Sequence, residues 1–288
     1  MINTRFVLSP LLACLFACLF AFRALGAAPL AAVDYPPVAP KVSFDAVLAL
    51  PAEGPAQTIR YGDAEPQFAE LWLPEDDAPA PVVAFIHGGC WLNAYGIDHS
   101  RALATALSQA GYAVWNIEYR RVGDPGGGWP GSIADIRAAL STLAGLEDER
   151  LDLSRLVLVG HSAGGQLALL VGQDPPAGLA PSGVIGVIGL AAITDMAAYV
   201  QGEGGCNQAG KQFLGDAGAS DEAANPARRP APPGTLLLMG SEDRIVPYEI
   251  PALAPHTLVV LPAGHFDWIH PGTPAWDRFV LELSGVVE

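Results

Sequence analysis

From residue 82 onward, short apolar runs alternate with stretches of helical periodicity. Alternation of this kind predicts parallel strands joined by crossover helices, and therefore an α/β fold with a mostly parallel central sheet flanked by helices. Between 42 and 73, short β-like runs are broken by glycine and proline, which predicts antiparallel strands at the sheet edge. The predicted strands lie at 82–86, 113–117, 156–159, 184–190, 235–239 and 258–261, and the predicted helices at 99–110, 132–145, 163–172 and 274–283.

Length and charge limit the classes of protein to consider. The chain has 288 residues, of which 51% are hydrophobic and 16% are charged, so it fits one large globular domain. Its formal net charge is −15. Nucleic-acid binding depends on basic residues that neutralise phosphates, and a nucleic-acid partner is therefore not expected.

The N-terminus has the pattern of a secretory signal peptide. Arg5 precedes an apolar run at 6–22, and small residues follow up to Ala28. We predict a signal peptide at 1–28, export to the periplasm or the medium, and no stable membrane insertion after cleavage. A membrane anchor, or lipid attachment at Cys14 or Cys18, is the alternative.

Two further boundaries follow from composition. Residues 29–40 contain four prolines and one charged residue, which predicts a flexible linker at 29–41 before a globular domain at 42–288. Within that domain, the helix-and-strand pattern is lost between 194 and 233. This insertion is either a cap over a site or a disordered surface excursion.

The segment 156–170 places Gly160-His161-Ser162-Ala163-Gly164 between an apolar run and a helical stretch. A Gly-x-Ser-x-Gly sequence in this context is the nucleophile elbow, a sharp turn that exposes the serine hydroxyl. Ser162 is therefore the predicted nucleophile.

A serine nucleophile needs a base, and the base needs a carboxylate that orients it. Asp243 follows the strand predicted at 235–239, and His265 follows the strand predicted at 258–261. We predict these two as acid and base, in the chain order Ser, Asp, His that this elbow usually has. Glu242 competes for the acid, and His256 and His270 compete for the base.

The strand predicted at 82–86 ends in His87-Gly88-Gly89-Cys90-Trp91. Glycine leaves its backbone N–H accessible, so Gly88, Gly89 and Ala163 are the predicted oxyanion-hole donors. Trp91 and Trp129 are candidate substrate-binding residues, with core or loop packing as the alternative for each. The sequence contains no Cys-x-x-Cys and no Cys/His cluster, so a metal is not expected.

Only two cysteines, Cys90 and Cys206, lie outside the predicted signal peptide. An oxidising compartment would allow them to form a disulfide, and the sequence leaves open whether they do or remain free thiols.

Four motifs together resemble the α/β-hydrolase superfamily, specifically its esterase branch that includes kynurenine formamidase-like enzymes. They are HGGCW, GHSAGG, the acid turn at 240–247 and the GHFD at 264–267. The resemblance covers roughly residues 60–285. It implies a two-step reaction through an acyl-enzyme, with no cofactor.

The expected function is that of an exported serine hydrolase acting on small or short-acyl carboxylic esters. Hydrolysis of an N-formylkynurenine-type amide with the same three residues is the alternative. The resemblance implies a cytosolic place for such formamidases, so the predicted signal peptide favours the ester. A non-catalytic binding module is a third possibility, and the presence of Ser162, Asp243 and His265 argues against it.

Overall fold

The computed structural model describes residues 32–179, 183–202, 205–218, 221–249 and 253–288; the predicted signal peptide lies outside these ranges. Within them, eight strands form one sheet in the spatial order β1-β2-β4-β3-β5-β6-β7-β8. The strands are β1 (Gln57–Arg60), β2 (Phe68–Trp72), β3 (Ala80–Ile86), β4 (Ala113–Ile117), β5 (Leu151–His161), β6 (Val184–Leu190), β7 (Thr235–Gly240) and β8 (Thr257–Leu261).

The sheet confirms the predicted fold class. Strands β3 to β8 are parallel to one another, whereas β1 pairs antiparallel with β2, and β2 pairs antiparallel with β4. One edge is therefore antiparallel, as predicted, and the remainder is parallel. The main strand difference is β5, which begins at Leu151 rather than at 156.

Helices cover both faces of the sheet. They are α1 (Phe44–Leu48), α2 (Arg101–Gln109), α3 (Gly131–Ala144), α4 (Ala163–Gln173), α5 (Met196–Gln201), α6 (Asn207–Leu214) and α7 (Pro274–Val287). Along β5, Leu156 and Leu158 join the hydrophobic core that contains α3 and α4, while Val157 and Val159 join the core that contains α2 and α7. Successive residues of a strand point to opposite faces, so one apolar run supplies both cores. None of the helices in the described ranges combines the length and apolarity needed to cross a membrane.

The sequence at 132–135 has the pattern of a capping box, in which Ser132 would cap the helix and Asp135 would accept the backbone N–H of Ser132. In the structure both residues have other partners. Helix α3 begins at Gly131, so Ser132 is already helical and its hydroxyl donates to the carbonyl of Arg120 at 2.6 Å. Asp135 instead accepts hydrogen bonds from the backbone and the guanidinium of Arg120. A buried carboxylate next to an arginine gains more from this charge-assisted pair than from a helix cap.

Of the two interpretations of residues 194–233, the structure supports a packed cap in the part that it describes. This cap contains α5, α6 and the 3-10 turns Gly215–Ala217, Glu222–Ala224 and Pro226–Arg228. Phe213 and Leu214 are buried in the core, and the backbone N–H of Trp129 donates to the carbonyl of Phe213 at 2.8 Å. The cap is therefore attached to the loop that precedes α3.

Candidate active site

Ser162 lies at the turn between β5 and α4. Its φ is 56° and its ψ is −119°, a conformation that costs a non-glycine residue energy and persists only where the surroundings enforce it. The enforcement comes from close packing, because a Cβ on Gly164 would collide with the carbonyl oxygen of His87 at the end of β3. The elbow predicted from the sequence is therefore present.

Asp243 follows β7 and His265 follows β8, and the two residues contact each other at one end of the sheet. His265 Nδ1 lies 2.7 Å from Asp243 Oδ2, and the other oxygen of Asp243 accepts backbone N–H groups of Ile245 at 2.7 Å and Val246 at 2.9 Å. An ionised carboxylate only accepts, so Nδ1 of His265 carries a proton and Nε2 keeps its lone pair. That is the tautomer a general base needs.

Glu242 and His270, which compete for the roles of acid and base, have other partners. Glu242 forms an ion pair with Lys41, and both side chains are substantially exposed. His270 Nδ1 accepts from the backbone N–H of Gly272 at 3.1 Å. The structure therefore pairs His265 with Asp243 rather than with Glu242.

A cavity of about 250 Å³, here called the inner cavity, brings Ser162, His265 and Gly89 together. No hydrogen bond joins the Ser162 hydroxyl to His265 among the contacts of the described residues. The rest of its lining is largely aromatic or imidazole, together with a disulfide, and comprises Phe44, Cys90, Tyr95, His99, His161, Gly205, Cys206, Ile245 and Phe266.

His87 fixes the loop Gly88-Gly89-Cys90 after β3, here called the glycine loop. Its Nδ1 lies 2.8 Å from the carbonyl oxygen of Gly88, and its Nε2 lies 2.8 Å from Glu118 Oε1. Burial alone would raise the pKa of Glu118, but contacts with His87 and Arg121 lower it, so the carboxylate is ionised. Each ring nitrogen of His87 thus lies within hydrogen-bond distance of an oxygen atom that can accept.

This arrangement orients the peptide between Gly88 and Gly89. With the Gly88 carbonyl held by His87, the N–H of Gly89 points to the opposite side of the same planar peptide unit. Gly89 has a φ of 109°, a conformation natural only for glycine, and it lines the inner cavity. Ala163 is the first residue of α4, where backbone N–H groups have no partner within the helix. These positions suit oxyanion donors.

His161 is a buried histidine beside His265. Its Nε2 lies 3.0 Å from the carbonyl oxygen of His265, and its Nδ1 is buried without a hydrogen-bond partner. Burial, followed by the nearby His265, lowers the pKa of His161 well below its ordinary value. A neutral His161 places no second positive charge beside the imidazole of His265.

Trp91 and Trp129, the candidate substrate-binding residues, support the cap instead of lining the inner cavity. Trp91 is fully buried, its ring stacks on Phe213 at 5.0 Å, and its Nε1 donates to Gln166 Oε1 at 3.1 Å. Trp129 Nε1 donates to Asp221 Oδ2 at 2.8 Å. The packing alternative applies to both, because their indole N–H groups have partners in or beneath the cap.

Cys90 and Cys206 form a disulfide with their Cα atoms 5.4 Å apart. Cys90 belongs to the glycine loop, and Cys206 directly precedes α6 of the cap, where its backbone N–H donates to the Tyr199 hydroxyl at 3.1 Å. The bond therefore links the cap covalently to the loop that carries Gly89.

Sequence reasoning did not find several residues that line the inner cavity. Phe44, Tyr95 and His99 come from segments without a recognisable motif. Phe266 and Ile245 could have been found, because each lies within two residues of His265 or Asp243.

A serine at a left-handed turn between a parallel strand and a helix, with an Asp–His pair at the same sheet edge, defines an α/β-hydrolase. Residues 70–255 match the BD-FAE family, and the chain belongs to that family. The resemblance inferred from the four motifs is thereby confirmed.

Proteins with similar sequences include an esterase and a kynurenine formamidase. The chain is 31% identical to esterase LipC of Mycobacterium tuberculosis over 41% of this chain and 30% of that protein. It is 32% identical to kynurenine formamidase of Danio rerio over 39% of this chain and 37% of that protein. The matched segment thus spans less than two fifths of either relative.

Solved structures show the same fold over most of the chain. Esterase B from Lactobacillus Rhamnosis superposes with a TM-score of 0.67 at 23% identity, covering 84% of this chain and 89% of that one. A bacterial heroin esterase gives a TM-score of 0.67 at 21% identity, covering 84% and 87%.

Stability should fall on mild acidification, partly because of His99. Burial lowers the pKa of His99 to about 3, whereas an unfolded histidine titrates near 6.5, so the unfolded state binds more protons between these values. The free energy of unfolding then decreases by up to about 1.4 kcal/mol per pH unit for this group. Urea unfolding of the wild type and of His99→Gln at pH 7, 6 and 5 measures how steeply the free energy of unfolding depends on pH. We expect a shallower decrease in the variant; identical pH slopes would contradict the assignment.

The disulfide should matter for substrate binding as well as stability. The bond spans 116 residues, so its loss should lower the free energy of unfolding by about 5 kcal/mol. Releasing the cap wall of the inner cavity should raise KM more than it lowers kcat. The comparison is wild type against Cys90→Ser/Cys206→Ser. Thiol counting on denatured chain lacking residues 1–28 should give no thiol without reductant and two with it; two thiols in both cases would refute the bond.

Proposed function

We propose that this chain hydrolyses small or short-acyl carboxylic esters through an acyl-enzyme on Ser162. The observation that carries the proposal is the placement of Ser162 and the Asp243-bound His265 on one inner cavity. Each of the three residues has the chemistry that its role requires.

The reaction begins with the Ser162 hydroxyl turned towards His265 Nε2, which takes its proton. Ser162 Oγ then attacks the carbonyl carbon of the ester, and the negative charge develops on the former carbonyl oxygen. Backbone N–H groups of Gly89 and Ala163, with Gly88 adjacent, stabilise that charge. His87 contributes indirectly, since its hydrogen bond keeps the Gly88–Gly89 peptide in the required orientation.

Collapse of the intermediate breaks the bond to the alcohol, and His265 gives the leaving oxygen its proton. Water then attacks the acyl-enzyme, with His265 as base, and the acid is released as Ser162 recovers its proton. Asp243 keeps His265 in the correct tautomer and stabilises the imidazolium during both halves of the reaction.

The size of the inner cavity favours a small acyl group. About 250 Å³ is slightly below the usual range of volumes for small-molecule sites. The names of similar proteins agree with ester chemistry, since LipC is an esterase and two further relatives from plants are probable isoprenylcysteine methylesterases.

Formamide hydrolysis is the second candidate, and similarity to the kynurenine formamidase of Danio rerio favours it. The same three residues would serve, with an amine in place of the alcohol as leaving group. The predicted signal peptide weighs against a cytosolic role in amino-acid breakdown. We therefore rank it second.

Activity on matched substrates separates the two candidates. We expect kcat/KM for 4-nitrophenyl acetate to exceed that for N-formylkynurenine. Ser162→Ala should lower kcat by roughly 10⁶-fold, to the blank, because the nucleophile is lost. Ser141→Ala, on the exposed face of α3, is the control and should match the wild type. Preference for the formamide would make the second candidate correct, and an active Ser162→Ala would remove the mechanism.

We further propose export through residues 1–28. Expression of the full chain in a bacterial host should yield a protein outside the cytoplasm whose N-terminus follows Gly26 or Ala28, as found by mass spectrometry. Replacing Leu11 and Leu12 by arginine should block this processing, because the apolar core of a signal peptide is required. An unprocessed cytoplasmic wild type would contradict export.

A further inference from the structure

The segment before α1 is held to the domain over much of its length. Residues 33–43, here called the strap, were expected to belong largely to a flexible linker. They form no helix or strand, yet the backbone N–H of Val38 donates to the carbonyl of Gly272 at 2.8 Å, and the Tyr35 hydroxyl donates to the carbonyl of Ala102 at 3.2 Å. Because these hydrogen bonds hold the strap on the domain, its residues can form part of a site.

Asp267 holds the strap beside the base. Its carboxylate accepts the backbone N–H groups of Lys41 and Val42, each at 2.8 Å, and also that of Gly264 at 2.8 Å. Gly264 directly precedes His265. Asp267 is completely buried, so these hydrogen bonds replace its hydration, and one side chain fixes both the strap and the His265 loop.

The strap ends by placing Phe44 against the inner cavity. Ser43 caps α1 by accepting the N–H of Ala46 at 3.1 Å, and Phe44 is the first residue of that helix. The Phe44 ring packs 5.4 Å from Tyr95, 5.4 Å from His99 and 5.6 Å from Phe266. All four rings line the inner cavity.

A second cavity meets the first at His265. This outer groove, of about 570 Å³, is more open and polar and is lined in part by Lys41, Ser241, Glu242 and Arg244. It shares Ile245, His265 and Phe266 with the inner cavity but does not include Ser162. His265 lines both cavities and must protonate the leaving oxygen. We therefore expect the leaving group on the side of the outer groove and the acyl group in the inner cavity, with Phe44.

We propose that Phe44 is a specificity-determining residue that sets the upper size of the acyl group, and that Asp267 is its positioning residue. The inference rests on the proposed function of Ser162. It places the residue that selects the acyl group, Phe44, outside the segment that carries the four motifs.

The first test is a series of 4-nitrophenyl esters from acetate to octanoate. The wild type should prefer short acyl groups. In Phe44→Ala the ratio of kcat/KM for hexanoate to that for acetate should rise at least about 10-fold, because each methylene in a hydrophobic pocket changes discrimination by about 10-fold or more. Leu48→Ala, an exposed position on the same helix, should keep the wild-type ratio. If Phe44→Ala does not fold, Phe44→Leu removes less side-chain volume and tests the same ratio.

Asp267 is tested through its coupling to Phe44. Asp267→Asn places an amide donor among three backbone donors, so it should raise KM for the short esters and relax the acyl-length ratio. In a Phe44→Ala background the same change should leave the ratio unaltered, since the ring it positions is gone. Asp45→Asn, exposed in the first turn of α1, is the control. An equal effect of Asp267→Asn in both backgrounds would show that Asp267 acts only on overall stability.

Alkyl phosphonate esters distinguish failure of this inference from failure of the proposed function. They attach to the nucleophile, so their labelling rates at Ser162 report fit without turnover. If the wild type reacts with none of them, the proposed function fails. If it reacts and Phe44→Ala has the same chain-length profile, the assignment of Phe44 is overturned. A shift with the length of the alcohol instead of the acyl group would also overturn it.

Discussion

The site depends on how closely α4 approaches the ends of the central strands. A Cβ at Gly160 would lie 2.8 Å from the Cα of Gly165, and one at Gly88 would lie 2.9 Å from Nδ1 of His161, which directly precedes Ser162. Real side chains do not tolerate such contacts, so glycine is required where the elbow, the helix and the loop after β3 meet. This contact places the predicted nucleophile and the N–H groups of Gly89 and Ala163 around one point. It also holds Ser162 in its strained conformation.

Buried histidines around that point differ in their partners. Nδ1 of His87 lies against the carbonyl oxygen of Gly88 and Nε2 against the carboxylate of Glu118, so this ring braces the glycine loop. Nε2 of His161 lies against the carbonyl oxygen of His265, and burial lowers the pKa of His161, which favours the neutral ring. The loop that carries Gly89 and the surroundings of His265 are therefore held by residues that take no part in the proposed reaction.

The parts that could be predicted are those encoded by local patterns. Apolar runs marked the parallel strands, and strand ends marked Ser162, Asp243 and His265, because the carboxyl ends of parallel strands meet at one edge of the sheet. The use of Asp135, the packing of the cap and the role of Trp91 could not be predicted in this way. Each depends on a partner far away in sequence: Arg120 for Asp135, and Phe213 for Trp91. Phe44 lies in a short helix outside every motif, and only the fold brings it to the cavity.

The hydrogen bond between Lys41 and Asp267 joins residues 226 positions apart. Closing so long a loop is slow and entropically costly, so we expect this contact to form after the sheet has assembled. The strap precedes every strand of the sheet in the chain, yet it can dock only when Asp267 has been synthesised. A folding chain can thus contain an intact elbow while the wall formed by Phe44 is still missing. The inner cavity is then completed late, by a segment that lies early in the sequence.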